Sequence, residues 1–264
     1  LSPEQLELKE KVLEFCEKQV KAKTNEYGSL LVIEGEAGVG KSVVLSSIFN
    51  TIQERTSEAS SNLYKKNNYL VVNHEGMLKT YKDIARQVKH LKVSSFEKPT
   101  KLINKLDKDN QKVDVVLVDE AHLLLTKPDP FNNFDYRNHL EELLKRAKVV
   151  IVIFDQDQVL KFKSLWGVAK LEEMKKLSAC TEVYPLTKQF RMQANDDVVD
   201  WINNFKSKVL LRIPKDENYK LKIFEKMEEM HKEIIEKNKE FGLSRVVSTF
   251  DYLHRKDGGT YYVN

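Results

Sequence analysis

Leu30-Leu31-Val32-Ile33-Glu34-Gly35-Glu36-Ala37-Gly38-Val39-Gly40-Lys41-Ser42 runs from an apolar tetrad through a glycine-rich turn to a lysine-serine pair. From Gly35 to Ser42 it fits G-x-x-x-x-G-K-[ST], and a helix-like stretch, Val43 to Ile52, follows. Strand, turn and helix in this order make a phosphate-binding P-loop. The glycines let successive N–H groups point at a polyphosphate while the helix presents the positive end of its dipole. The backbone of Gly35, Glu36, Ala37, Gly38, Val39 and Gly40 would line that cradle. Lys41 would hold the β- and γ-phosphates, and Ser42 would bind Mg²⁺. The alternative is a glycine-rich strand-to-helix turn that binds nothing, and a second motif weighs against it.

Val115-Val116-Leu117-Val118 is a continuous apolar run of the kind a central parallel strand needs, and it delivers Asp119-Glu120-Ala121-His122 to its C-terminal end. Two carboxylates thus arrive where the phosphates are expected. Asp119 suits the outer coordination of Mg²⁺, and Glu120 can polarise a water for in-line attack on a γ-phosphate. An acidic surface turn is the competing reading, but charge seldom follows four buried apolar residues by accident.

The chain has 264 residues, 41% of them hydrophobic, enough for one large core or two small ones. A net charge of +4 gives no global case for nucleic acid, so any basic surface must be local. Cys16 and Cys180 are the only cysteines, without a CxxC pair, which argues against a disulfide framework or a zinc site. Cys16, among Val12, Leu13 and Val20, reads as a small buried hydrophobe. The apolar stretches are strand-sized and no signal-peptide pattern opens the chain, so a soluble cytoplasmic protein is expected. A first residue Leu1 rather than Met points to a fragment.

Pro3 to Lys23 reads as an amphipathic helix with Ser2 as N-cap and with Leu6, Leu13, Cys16 and Val20 near one face. Glu54 to Asn68 reads as a loop, and Tyr69 to Val72 as a strand. Periodicity predicts a helix over Met77 to Leu91, with Leu78, Tyr81, Ile84, Ala85, Val88 and Leu91 inward and Lys79, Lys82, Arg86 and Lys89 on an opposite arc. That arc is either a phosphate-backbone contact or an ordinary solvated face. A helix near Tyr136 to Arg146 and a strand from Val149 to Phe154 follow. The alternation implies an α/β fold with a parallel sheet flanked by helices. Beyond Pro185 the expected elements are a helix over Asp196 to Phe205 and a long one over Tyr219 to Phe241. The latter carries Ile223, Met227, Met230 and Ile234 on one face, with Glu228 offset against Lys232 and Glu233 against Lys237. Strands are expected at Arg245 to Thr249 and Tyr261 to Val263.

The order of these motifs resembles superfamily 1 helicases, and more narrowly the schlafen-group DNA/RNA helicase domain of bacterial proteins. Five segments carry the resemblance: Leu1-Ser2-Pro3-Glu4-Gln5, the P-loop, Asp119 to His122 in DEAH spelling, Phe154-Asp155-Gln156-Asp157-Gln158, and Leu186-Thr187-Lys188-Gln189-Phe190-Arg191. The resemblance implies a RecA-like P-loop NTPase domain over residues 1–180 and a partial second RecA-like domain over 181–264, with ATP and Mg²⁺ bound between them. It implies that Gln5 reads adenine, or is an incidental residue of a helix cap. Gln158 would contact the γ-phosphate or the attacking water and report hydrolysis. Phe154 replaces the glycine usual in that motif. Arg191 would reach the γ-phosphate with its permanently charged fork. Asn73 and His74 stand where such enzymes touch single-stranded nucleic acid, beside Lys79, Lys82 and Arg86. Phe162 and Trp166 would stack on a base or form the buried side of a short helix. The later helicase motifs have no match before Asn264.

The leading expectation is therefore a nucleic-acid-dependent ATPase of helicase type, acting on single-stranded DNA or RNA. The alternatives are a switch or sensor NTPase that works through a protein partner without translocation, and a nucleotide-binding scaffold. Whether a fused or separate domain supplies a nuclease or a targeting surface is left open by the sequence.

Overall fold

A computed structural model describes residues 1–23, 26–35, 38–155, 168–187 and 195–247. The chain divides into two compact units, Leu1–Met192 and Gln193–Asn264.

The first unit is an α/β layer structure. Its strands are β1 (Ser29–Gly35), β2 (Asn68–Val72), β3 (Phe96–Glu97), β4 (Val113–Asp119), β5 (Ala147–Phe154) and β6 (Thr181–Leu186). They form one sheet in the order β3-β2-β4-β5-β1-β6 with every pairing parallel. Register sets Val32 against Val152 and Val118 against Val152, which fixes β5 between the P-loop strand and the acidic strand. Successive side chains leave opposite faces of a strand, so each apolar run feeds two cores at once. Leu31, Ile33, Leu70, Val72, Leu117 and Ile151 face one core, under helices α1 (Pro3–Gln19), α2 (Lys41–Arg55) and α3 (Glu75–Ala85). Leu30, Val32, Val71, Val116, Val118 and Val150 face the other, under α4 (Pro99–Lys108), α5 (His139–Arg146) and α6 (Val168–Leu177).

Local chemistry sets the helix starts. Ser2 accepts from the Gln5 N–H while the Gln5 side chain accepts from the Ser2 N–H, a closed capping box with Pro3 in the first turn of α1. Gly40, at φ 80°, is the N-cap of α2, a left-handed turn that L side chains adopt only at a cost. His74 caps α3 by accepting the Met77 N–H at Nδ1.

Several expected boundaries move. The helix predicted over Met77 to Leu91 ends at Ala85, and turns closed by Gln87 N–H to the Ile84 carbonyl and Leu91 N–H to the Val88 carbonyl bring Leu91 against the core. Arg86 is consequently a C-cap, and Ile84, expected inward, is 42% exposed. Leu6, expected on the packed face of α1, is also exposed, whereas Leu8 and Phe15 take the core. The fifth helix starts at His139 rather than Tyr136, because Asn138 caps it. The break expected after residue 180 precedes β6, which pairs with β1 in the first sheet, while the division into compact units follows Met192.

The described residues of the second unit form α7 (Asp196–Lys206) and α8 (Met227–Phe241), with no strand. The Trp201 indole N–H donates to the Leu211 carbonyl, and its ring stacks on Phe205 at 5.4 Å. The helix expected from Tyr219 starts only at Met227, so Ile223 lies before it and is exposed. Glu233 pairs with Lys222, and Lys237 with Glu240. Arg245–Val247 form no strand, against expectation, and the rest of that segment, with 261–263, lies outside the described residues.

Candidate nucleotide site

The C-terminal ends of β1, β4 and β5 are adjacent, and each supplies one part of the site. From β1 comes the turn into α2. Gly38 and Gly40 both take positive φ, 92° and 80°, a conformation that glycine adopts without steric cost. Lys41 is buried, and its ammonium donates to the Gly35 carbonyl at 2.7 Å and to Asp155 Oδ2 at 2.9 Å. Asp155 follows β5 and is itself buried. The lysine therefore crosses the loop and meets a carboxylate from the neighbouring strand.

From β4 come Asp119 and Glu120. Asp119 is fully buried. Its Oδ1 accepts the Glu120 N–H at 3.0 Å and faces Ser42 Oγ at 3.4 Å, while Oδ2 accepts the Tyr81 hydroxyl at 2.5 Å. Burial pushes the Asp119 carboxyl above its ordinary range, opposed by its hydrogen bonds to Tyr81 and Ser42. Burial, and then the charge of Asp119, push the Tyr81 phenol upward, so it stays a donor. Glu120 sits in the left-handed region at φ 51°, ψ 52°, and its Oε2 lies 3.4 Å from His122 Nδ1. Burial lowers the His122 pKa and favours the neutral ring.

Ser42 and Asp119 present hard oxygen donors across a short gap, which fits Mg²⁺. Among the described residues no group of three His, Cys, Asp or Glu forms a metal cage, so such an ion would take its remaining ligands from phosphate and water.

The other expected site residues fall out unevenly. Gln5 lies beside the loop, but its amide oxygen accepts from Ser2 and its amide N–H donates to the Val39 carbonyl at 3.1 Å. As placed, it braces the P-loop against α1. Asn73 donates to the Leu123 carbonyl at 2.8 Å, and His74 serves as a helix cap. Lys79 is exposed, Lys82 lies 3.9 Å from Glu97, and Arg86 pairs with Asp83. Glu36, Ala37, Gln158, Phe162, Trp166 and Arg191 lie outside the described residues. Sequence reading missed two partners: Asp155 on Lys41, and Tyr81 on Asp119. Tyr81 was counted only as an inward residue of α3, although a phenol on a packed face calls for a polar partner. A groove of about 260 Å³ opens beside it, lined by Ser42, Val43, Ser46, Met77, Thr80 and Ile84.

No helix among the described residues is long and apolar enough to cross a membrane. Residues 28–262 match the family described as Schlafen group 3, DNA/RNA helicase domain. An uncharacterized protein of Saccharomyces cerevisiae, YPL245W, is 36% identical over 291 residues, a match that takes in all of this chain and 64% of that protein. Origin recognition complex subunit 1 of Plasmodium falciparum is 26% identical over 155 residues, 53% of this chain and 13% of the relative. The chain thus spans under two thirds of either curated relative. Among solved structures, Drosophila ORC bound to DNA overlaps 69% of this chain and 44% of its own at 18% identity and TM-score 0.34. C. elegans PCH-2 overlaps 69% and 43% at 13% identity and TM-score 0.36. Overlaps this loose carry no weight, and the fold assignment rests on the sheet order and the P-loop.

Proposed function

The chain belongs to the Schlafen group 3 DNA/RNA helicase-domain family, and from that premise we propose that it is a Mg²⁺-dependent ATP hydrolase of helicase type that acts on single-stranded DNA or RNA. The observation that carries this reading is the convergence of Lys41, Ser42, Asp119 and Glu120 on one end of the sheet.

Lys41 exchanges the Asp155 carboxylate for the β- and γ-phosphate oxygens, and its charge offsets that developing on the γ-phosphoryl group. Ser42 and Asp119 would hold Mg²⁺, which would supply neutralisation of the phosphate charge. Glu120, which directly follows β4, orients the attacking water and takes up its proton. His122 lies beside it, its Nδ1 3.4 Å from Glu120 Oε2. The family resemblance gives Gln158 the sensing of the γ-phosphate and Arg191 the role of an arginine finger, whose loss would slow turnover by roughly 10³- to 10⁵-fold.

Steady-state ATP hydrolysis with and without single-stranded DNA or RNA tests the reading. Glu120→Gln should lower kcat by about 10²-fold or more with nucleotide binding retained, and one polymer should raise the wild-type rate. Turnover that survives Glu120→Gln would overturn it. A switch NTPase working through a protein partner is favoured by one observation, the engagement of Lys82 and Arg86 by Glu97 and Asp83. That reading predicts Glu120-dependent turnover indifferent to both polymers.

A further inference from the structure

Asp119 has two carboxylate oxygens, and the structure divides them. Oδ1 faces Ser42 and the Glu120 N–H, on the side where a cation would sit. Oδ2 is taken by the hydroxyl of Tyr81, which comes from α3 and not from the P-loop, its helix or the acidic strand. We propose that Tyr81 is a positioning residue for the magnesium ion: it orients Asp119 through Oδ2 and thereby ties α3 mechanically to the cation site. The inference rests on the nucleotide reading above and deepens it.

Three features support a positioning role over simple packing. The hydrogen bond is short, 2.5 Å, and ends on the carboxyl whose other oxygen faces Ser42. The ring has little freedom, since it stacks on Phe96 at 5.8 Å and 17°, and Phe96 meets Phe49 of α2 edge-on at 5.1 Å. The hydroxyl is thus referenced to the same helix that carries Ser42. Third, the flanking residues on α3 point elsewhere: at 100° per residue Lys79 and Lys82 leave the helix 200° and 100° away from Tyr81. Any ligand or partner that shifts α3 from outside therefore shifts the hydroxyl on Asp119. The groove lined by Val43, Met77 and Ile84 leaves space between α2 and α3 unfilled beside Tyr81.

The test is Tyr81→Phe, which keeps the ring and its stack and removes one oxygen. Binding of a fluorescent ATP analogue is measured in EDTA and across a Mg²⁺ titration, in wild type, Tyr81→Phe and Lys41→Ala. Loss of one hydrogen bond to a carboxylate should move the Mg²⁺ midpoint upward about tenfold, with metal-free nucleotide affinity unchanged. An unmoved Mg²⁺ midpoint in Tyr81→Phe would overturn the proposal while leaving the nucleotide reading intact. Wild type that binds no nucleotide, or binding indifferent to Lys41→Ala, would instead sink the nucleotide reading. Hydrogen exchange on the wild type gives a check that needs no variant. Adding Mg²⁺ to the nucleotide-loaded protein should slow amide exchange within Glu75–Ala85, and exchange there that ignores Mg²⁺ would refute the mechanical tie.

Discussion

At the scale of single residues, Glu120 holds the most costly position in the site. Its left-handed backbone, φ 51° and ψ 52°, costs a residue with a Cβ about 1 kcal/mol or more, and glycine almost nothing. Function would keep a glutamate there, and the fold alone would not. Glu120→Gly and Glu120→Ala both remove the carboxylate, yet only the first relieves the backbone. The glycine variant should be more stable than the alanine variant by about 1 kcal/mol in urea unfolding without nucleotide, and equal stabilities would mean the strain is absent. His139 is a second residue with a readable cost. It accepts the Leu125 N–H at Nδ1, so Nε2 carries the proton and donates to Thr100 Oγ1 at 2.8 Å. Burial pushes its pKa down to about 3. The unfolded chain therefore binds a proton near pH 6.5 that the folded chain refuses. Stability from this group is whole above pH 6.5 and falls as pH drops toward 3, by up to about 1.4 kcal/mol per unit. His139→Gln should flatten the fall measured between pH 7 and 5, and an unchanged slope would exclude the histidine as its source.

Among elements, α3 is where sequence and structure part most. Its inward face was legible because Leu78, Tyr81 and Ala85 keep a helical period. Its end was not, since Val88 and Leu91 continue that period and no glycine or proline marks a stop. What ends the helix is tertiary: turns after Ala85 bring Leu91 onto the core. The strands were legible for the opposite reason. A parallel strand buried on both sides leaves an unbroken apolar run, and β1, β2, β4 and β5 each have one. The P-loop and the acidic pair came with those strands, so the centre of the site could be read directly. Gln5 could be read two ways. The family resemblance implied adenine, while the Ser2-x-x-Gln5 spacing is that of a capping box, which the structure contains. Contacts such as Tyr81 to Asp119 join residues 38 apart and leave no local trace. For the outer face of α3, replacing Lys79, Lys82 and Arg86 with alanine should weaken single-strand binding and reduce its log-log salt slope by about 0.7 per lost phosphate contact, with ATP affinity unchanged. An unaltered slope would return the stripe to solvent.

For the molecule as a whole, the first unit gathers the P-loop, the acidic pair and α3 around one sheet, whereas the described part of the second unit has α7 and α8 and, outside those helices, exposed apolar residues such as Leu210, Ile223 and Leu243. The order of the sheet has one further consequence, in how the first unit ends. Its central strands each carry an unbroken apolar run, the composition most prone to recruit another chain. They lie inside, between two outer strands of different character. On one side β3 is only two residues long. On the other, β6 is mostly half-buried and carries Glu182 and Pro185, and proline offers no N–H to a newcomer. Among the described residues neither rim provides a long, regular ladder for templated growth, so fibril formation through these strands requires that the sheet first open and bare its interior strands.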